Sequence, residues 1–322
     1  MADYGKANPD GKYWNKDLET LPRERLEAKQ LEDLKEIVKF AYENAPYYRR
    51  SFDEAGVKPE DIKTLSDIQK FPFINKKTQR DTQGVGSFLG ELAAVKEEDV
   101  VFVSTSSGST GVPTMSPFTK RDFDEFQDTE SRWFYQIGMR KNDRYVHALN
   151  FSLYVGGPDV IGAQNLGALC IWGGTLPSER LLFILKTYQP TIIWTSPSYA
   201  WQLGEKAVKA GYDPKKDFSI RKIIVAGEAG GSIDSTRKAI EDLWGAEVFD
   251  FYGLSDIFGA CAAMCEAKDG LHIAENHILV ETRDIHTGEI LPAGQTGELV
   301  FTTLRKHARP LIRFRTGDIG RI

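Results

Sequence analysis

Cysteine is scarce, with three residues, Cys170, Cys261 and Cys265, in a chain of 322. That is too few for the disulfide framework of a small secreted scaffold. Histidine is equally sparse at five residues, and His277, His286 and His307 offer no nucleophilic triad. No stretch of about 18 uninterrupted apolar residues occurs, so no membrane-spanning helix is expected. The opening MADYGKANPDGKYWNKD is polar and lacks the apolar core of a secretion signal. Excess positive charge is missing too: the formal charge is -5 and the pI near 5.7, which opposes a broad nucleic-acid-binding surface. A cytoplasmic protein without nucleic-acid or membrane partners is the expectation. Composition itself is that of a folded chain, with 41% hydrophobic residues, 27% charged residues, 18 Phe, 12 Tyr and 6 Trp.

Periodicity divides the chain into three regions. Residues 1–99 read as mainly helical and docked on the core. Between 22 and 44, Leu26, Leu31, Leu34, Ile37, Val38 and Tyr42 fall on one apolar stripe, and Pro46 favours a stop. A second short helix is expected over 60–69. Residues 100–276 read as an α/β core. VVFVST enters a Ser/Gly-rich loop, residues 120–138 form a helix carrying Phe123, Phe126 and Phe134, and short apolar strands recur at 145–149, 169–172, 191–194 and 223–226. From residue 277 onward, HILVE and GELVFTT read as strands of a small β-rich end. No sequence repeat is present.

The chemistry-bearing motifs begin with STSSGSTGVPT at 104–114. Gly108 and Gly111 permit tight turns, while Ser106, Ser107, Ser109 and Thr110 can add hydroxyl donors around phosphate oxygens. A plain surface loop reads equally well from this stretch alone. It is neither GxxxxGK[ST], because Val112 follows Gly111, nor GxGxxG. IIVAGEAGG sets Gly227 and Glu228 just after a strand. In VFDFYGLSD, Tyr252 can stack on a planar base, Ser255 can donate to a phosphate and Asp256 can bind magnesium. In RFRTGDIG, Asp318 can accept from ribose hydroxyls beside Gly317, and Arg313 and Arg315 suit either phosphate charge or structural ion pairs.

The order SSGSTGVPT, AGEAGGSI, DFYGLSD, RFRTGD resembles the acyl-adenylate-forming superfamily, particularly phenylacetate–coenzyme A ligases and related aryl-acid ligases. KFAYENAPYYRRSFDEAGVKPEDI, NFSLYVGG and TSPSY extend the resemblance over nearly the whole chain. It implies an α/β fold: the large amino-terminal domain of an adenylate-forming ligase, with mixed sheets, covering helices and a small β-rich subdomain. In that family a small mobile carboxyl-terminal domain follows RTGD and supplies a lysine for adenylation; it lies outside these residues, and Lys306 is no match for that lysine. These 322 residues are therefore expected to keep an adenylate pocket and to complete ligation poorly.

The resemblance also implies ATP, Mg2+ and coenzyme A. Ser106, Ser107, Gly108, Ser109, Thr110 and Gly111 look like its phosphate loop. Gly227 and Glu228 resemble the strand end near adenine and the acyl pocket, and Asp250, Phe251 and Tyr252 the adenine-contacting stretch. Ser255 and Asp256 match the polar pair at phosphate and magnesium, the catalytic positions, and Asp318 the ribose-binding aspartate. Two departures are Val112, where lysine is common, and Asp256, where glutamate is usual. The acid would be aromatic, phenylacetate or a related aryl acid, held by Phe151, Tyr154, Tyr199 and Phe258, with Trp194 a further aromatic surface. Cys265 and His272 match half of a structural zinc site in similar ligases, whereas the C-x3-C of Cys261 and Cys265 also suits one helix face. A homodimer rests on family similarity alone. Transfer to a carrier-protein thiol, and a non-enzymatic small-molecule-binding or assembly module, are the alternatives.

Overall fold

The computed structural model describes residues 1–106, 112–149 and 156–322. Its strands, in chain order, are β1 (Val100–Thr105), β2 (Met115–Thr119), β3 (Arg144–His147), β4 (Leu169–Trp172), β5 (Ile192–Thr195) and β6 (Lys222–Val225). They continue with β7 (Glu247–Leu254), β8 (Phe258–Met264), β9 (Leu271–Ile273), β10 (Ile278–Arg283), β11 (Gly297–Thr303) and β12 (Phe314–Gly320). Two compact units result. The first comprises Met1–Lys6, Asp17–Asp124 and Ala274–Ile322, the second Ala7–Lys16 and Glu125–Ile273.

In the first unit the long helix Arg23–Asn44 forms as the apolar spacing requires and buries Leu26, Leu34, Ile37, Val38 and Ala41. Leu31 and Tyr42 are only half-buried, and Gln30 and Asp33 take places on the buried face. Asp33 is held there by Arg305 at 3.2 Å, and Gln30 donates to the Glu275 carbonyl at 2.8 Å. Pro46 ends that helix but also opens the next, Pro46–Ala55, as its N1 residue. The helix expected over 60–69 is instead two 3-10 turns, Pro59–Asp61 and Leu65–Lys70. Asp67 accepts from the Thr64 backbone and hydroxyl, so a new cap interrupts the run. β1 and β2 form an antiparallel hairpin, and β10, β11 and β12 an antiparallel sheet.

The connection from β11 to β12 organises this unit. Asp122 accepts the backbone N–H groups of His307 and Ala308, at 2.7 and 2.9 Å. The Tyr48 hydroxyl donates to the Pro310 carbonyl and accepts from Ile312 N–H. Arg309 donates to Gln79. At its end, Arg313 adopts φ 50°, a region that costs a side-chain-bearing residue. Offsetting that cost, its guanidinium donates to both Glu281 oxygens at 3.0 Å and to the Gln69 and Phe71 carbonyls at 2.9 Å.

In the second unit seven strands lie in the order β4-β3-β5-β6-β7-β8-β9. The pairs from β4 through β7 are parallel, and β8 and β9 add antiparallel pairs. Strand alternation divides the residues between two faces. Val146, Ile193, Ile223, Val225 and Val248 join Leu185, Leu203, Ile240 and Trp244 from the helices Ser178–Tyr188, Pro197–Lys209 and Asp234–Trp244. On the opposite face, Phe134 of the helix Lys120–Gln136 meets Tyr145, Trp194 and Phe251 at ring-centroid distances of 5.4, 5.4 and 6.2 Å. Covered on both sides, β5 and β6 are buried at every position.

Glu281 and Arg313 are 8% and 3% exposed, so removing one partner strands the other. Glu281→Ala is expected to lower unfolding free energy in urea by about 3–5 kcal/mol. The apolar double variant E281L/R313M is expected to recover much of that loss.

Candidate active site

The carboxyl ends of the parallel strands collect the motif residues of the second unit. β3 lies between β4 and β5, so the chain reverses its direction of travel across the sheet there, the point at which open α/β sheets bind ligands. β5 leads into Ser196, which caps the helix Pro197–Lys209 by accepting from Tyr199 N–H. β6 leads into Gly227 and Glu228. β7 runs past its last parallel pairs and ends at the turn bearing Ser255 and Asp256.

Glu228 is exposed, with Oε1 accepting the Ser198 backbone N–H at 2.8 Å. Hydrogen bonds from Ser198 hold its carboxyl below the usual range, so an anionic group stands at the amino end of that helix. Gly227 has φ 89°, which a side chain would resist. Asp250 accepts from the Ser232 hydroxyl; burial raises its pKa against hydrogen bonds from Ser232 and the charge of Arg237. A Cβ on Gly231 would lie 2.5 Å from the Asp250 carboxyl carbon. The glycine pair of AGEAGGSI therefore serves close approach to Asp250 as well as turning, and Ser232 is a partner the sequence reading missed. Its signal was the Gly-Gly-Ser run in the loop that follows β6.

Phe251 is buried, Tyr252 and Ser255 are half-buried, and Asp256 is 1% exposed. The β7–β8 turn is tightly drawn: a Cβ on Gly253 would fall 1.8 Å from the Gly259 carbonyl oxygen. Phe258 lies in the core with its ring 6.1 Å from Phe126. Trp194, 1% exposed, packs against Phe134, His147 and Phe251. Tyr199 is half-buried against the helical layer, its hydroxyl 3.1 Å from Ser178 Oγ. Phe151 and Tyr154 lie outside the described residues, as do Ser107, Gly108, Ser109, Thr110 and Gly111.

In the first unit, Ser106 closes the neck of the Ser/Gly loop. Its N–H donates to the Thr114 carbonyl at 3.0 Å, and its Oγ accepts Thr114 N–H at 2.9 Å. Gln83 reinforces the neck, donating to the Pro113 carbonyl at 3.1 Å and accepting Met115 N–H at 2.6 Å. No local pattern marked Gln83, which lies 30 residues upstream of Pro113. Asp318 is half-buried on β12 after Gly317 at φ 82°, and its N–H donates to Thr316 Oγ1 at 3.0 Å. Arg313 is engaged by Glu281, and Arg315 donates to Glu298 at 2.9 Å. Of the two roles open to these arginines, both occupy the structural one.

The Cys261–Cys265 segment is no helix. Cys261 lies within β8, and Cys265 directly follows it. β8 is wholly buried and pairs with β7 and β9, with Ala263 opposite His272, so strand pairing overrides the i,i+4 pattern. Cys265 is half-buried and His272 exposed. Together they supply two metal ligands where a structural zinc needs four, and among the described residues no group of three His, Cys, Asp or Glu side chains could hold a metal. No helix among them is long and apolar enough to cross a membrane.

The chain is 38% identical over 308 residues to the phenylacetate-coenzyme A ligase of Pseudomonas putida, covering 95% of this chain and 68% of that one. Identity to the Escherichia coli protein of the same name is 37%, covering 95% and 69%. The crystal structure of 2-hydroxyisobutyryl-CoA ligase in complex with 2-HIB-AMP and CoA, in the thioesterification state, superposes with a TM-score of 0.92 at 29% identity. That match covers 99% of this chain and 68% of that one. The mixed α/β fold is thus that of the amino-terminal domain of adenylate-forming ligases. The model of the AMP-binding enzyme family matches residues 23–304, and the chain belongs to that family.

Proposed function

We propose that the protein activates an aromatic carboxylic acid with ATP and passes the acyl group to coenzyme A. The observation that carries this reading is the placement of Gly227, Glu228, Ser255 and Asp256 at the carboxyl ends of neighbouring parallel strands, β6 and β7. Relatives named phenylacetate-coenzyme A ligase at 37–39% identity support phenylacetate or a related aryl acid as the substrate.

In the first half-reaction a carboxylate oxygen attacks the α-phosphorus of ATP, the bond from that phosphorus to the α,β-bridging oxygen breaks, and pyrophosphate leaves with its β,γ-bridge intact. In the second, the coenzyme A thiol loses its proton and its sulfur attacks the acyl carbon, releasing AMP. Neither half needs a serine or histidine nucleophile, because the substrate phosphate supplies the leaving group. The protein's task is positioning and charge stabilisation. Ser255 donates to phosphate, Tyr252 and the Asp250–Phe251 backbone border the base, and Asp318 accepts from the ribose. The resemblance assigns residues 106–111 to the phosphates, and Tyr199, Phe258, Phe151 and Tyr154 to the aryl group. Magnesium, when bound, neutralises phosphate charge, and the Asp256 carboxylate has the hard oxygen donors that ion takes. A homodimer and a cytoplasmic setting belong to the same proposal.

Pyrophosphate release with ATP, magnesium and a panel of aryl acids tests the reading, with thioester and adenylate followed by product mass. Phenylacetate or a close analogue is expected to give both products. A folded, ATP-binding protein that yields neither with any acid contradicts the assignment, and acyl transfer to a carrier protein instead would change the acceptor. Asp256→Asn is expected to lower kcat for pyrophosphate release on the order of 10²–10³-fold. Metal analysis decides zinc separately: one equivalent, lost in C265S, supports Cys265 and His272 as ligands, and its absence from the purified protein removes them.

A further inference from the structure

Beneath the turn that carries Ser255 and Asp256 lie two carboxyl groups that the proposed chemistry does not use. Glu130, on the helix Lys120–Gln136, is 0% exposed, and Asp159, immediately before the helix Val160–Asn165, is 1% exposed. Both abut Gly259, where a Cβ would lie 2.6 Å from Glu130 Oε1 and 2.7 Å from Asp159 Oδ1. Glu130 Oε1 accepts the Ala260 N–H at 2.6 Å. Glu130 Oε2 and Asp159 Oδ1 are buried and have no hydrogen-bond partner among the described residues. The same helix grips β8 at two further points: Trp133 Nε1 donates to the Ala260 carbonyl at 2.7 Å, and Gln136 donates to the Ala263 and Met264 carbonyls at 3.3 and 3.2 Å.

We infer that Glu130 and Asp159 are a positioning pair. They fix Gly259 and Ala260 so that the β7–β8 turn presents Ser255 and Asp256 to the nucleotide, and they do so only while the pair holds its proton. Two unpartnered buried oxygens are costly if both groups are charged, whereas one proton between them supplies a donor where none otherwise exists. Burial first, and then the charge of Asp159, raises the Glu130 pKa against the Ala260 N–H and Arg132; burial alone raises that of Asp159. Among the described residues, Tyr145 on β3 also acts on the pair, and His147 and Cys170 lie beyond it. Tyr145 is itself raised by burial and by Asp159, Cys170 and Glu130, and its hydroxyl lies 2.6 Å from His147 Nδ1. Burial lowers the His147 pKa to about 3, leaving it neutral at physiological pH.

The sign of the pH dependence follows from linkage. Carboxyls whose folded pKa is raised make the native state bind more protons than the unfolded chain. Stability is therefore fullest below the unfolded pKa and falls as pH rises toward the folded values. Either isosteric amide weakens that dependence, because one titrating carboxyl is gone and the amide NH2 can donate to the remaining carboxylate.

The kinetic part rests on the proposed adenylation; the thermal and exchange arms do not. E130Q and D159N are expected to melt above the wild type by a margin that widens between about pH 5 and pH 8. Amide exchange over residues 253–260, corrected for its intrinsic pH dependence, is expected to quicken with pH more in the wild type than in E130Q. E130A is expected to lose kcat for pyrophosphate release on the order of tenfold to a hundredfold, with the KM for ATP within about twofold, and E130Q to restore it. A pH-independent melting difference, or matching exchange profiles, would overturn the pair even if E130A fails to fold. Unchanged kcat in folded E130A would overturn the positioning role. Absence of turnover in the wild type, beside the expected thermal and exchange results, would count against the adenylation reading alone.

Discussion

A parallel sheet covered on both faces confines polar chemistry to its ends. In the second unit, β5 and β6 have no exposed position. One face is sealed by aliphatic residues under three helices, the other by rings around Phe134. A charged side chain in mid-strand would have to be buried unpaired. Polar motif residues therefore gather where the strands stop, after Thr195, Val225 and Leu254. That constraint explains why TSPSY, AGEAGGSI and DFYGLSD, separated in sequence, belong to the carboxyl ends of one sheet.

Such an edge must also be shaped, and here the backbone matters more than the side chains it carries. Gly231 lets its loop close over Asp250, and Gly253 lets β7 pass within contact of the Gly259 carbonyl. Each would otherwise place a Cβ well inside contact distance. The register irregularities between β7 and β8 fall at Gly253 and its neighbours, as expected where a strand pair is re-aimed near a functional site. Glycine in DFYGLSD thus sets the direction from which Ser255 and Asp256 emerge.

The legible parts of the fold are those governed by local pattern. Strands β1, β4, β5 and β6 could be read from short apolar runs, and the Arg23–Asn44 helix from its stripe, because burial on a defined face imposes a period. The strand character of Cys261 was less legible. GACAAM is rich in small residues, for which neither alternation nor helical spacing is diagnostic, and only pairing with β7 and β9 decides it. Nonlocal ion pairs were hidden for the same reason: Arg313 finds Glu281 across 32 residues, so its guanidinium looked equally suited to phosphate. Motif order, by contrast, pointed to the candidate site because strand-end residues must sit beside strands that could already be recognised.

Glu130 marks the limit of such reading and suggests how to extend it. Helical residues four apart share a face, and Glu130 falls four after Phe126 and four before Phe134, both wholly or almost wholly buried. A charged residue in register with that stripe must either interrupt it or be taken inside with a partner. The structure takes it inside, where the Ala260 N–H satisfies one oxygen and Asp159 approaches the same side of Gly259. A neutral side chain could fill the same volume, yet it could not tie the backbone at Ala260 to a proton. The helix that packs the sheet thereby also governs the turn at its edge, and an acid on an otherwise apolar stripe is the local sign of that second duty.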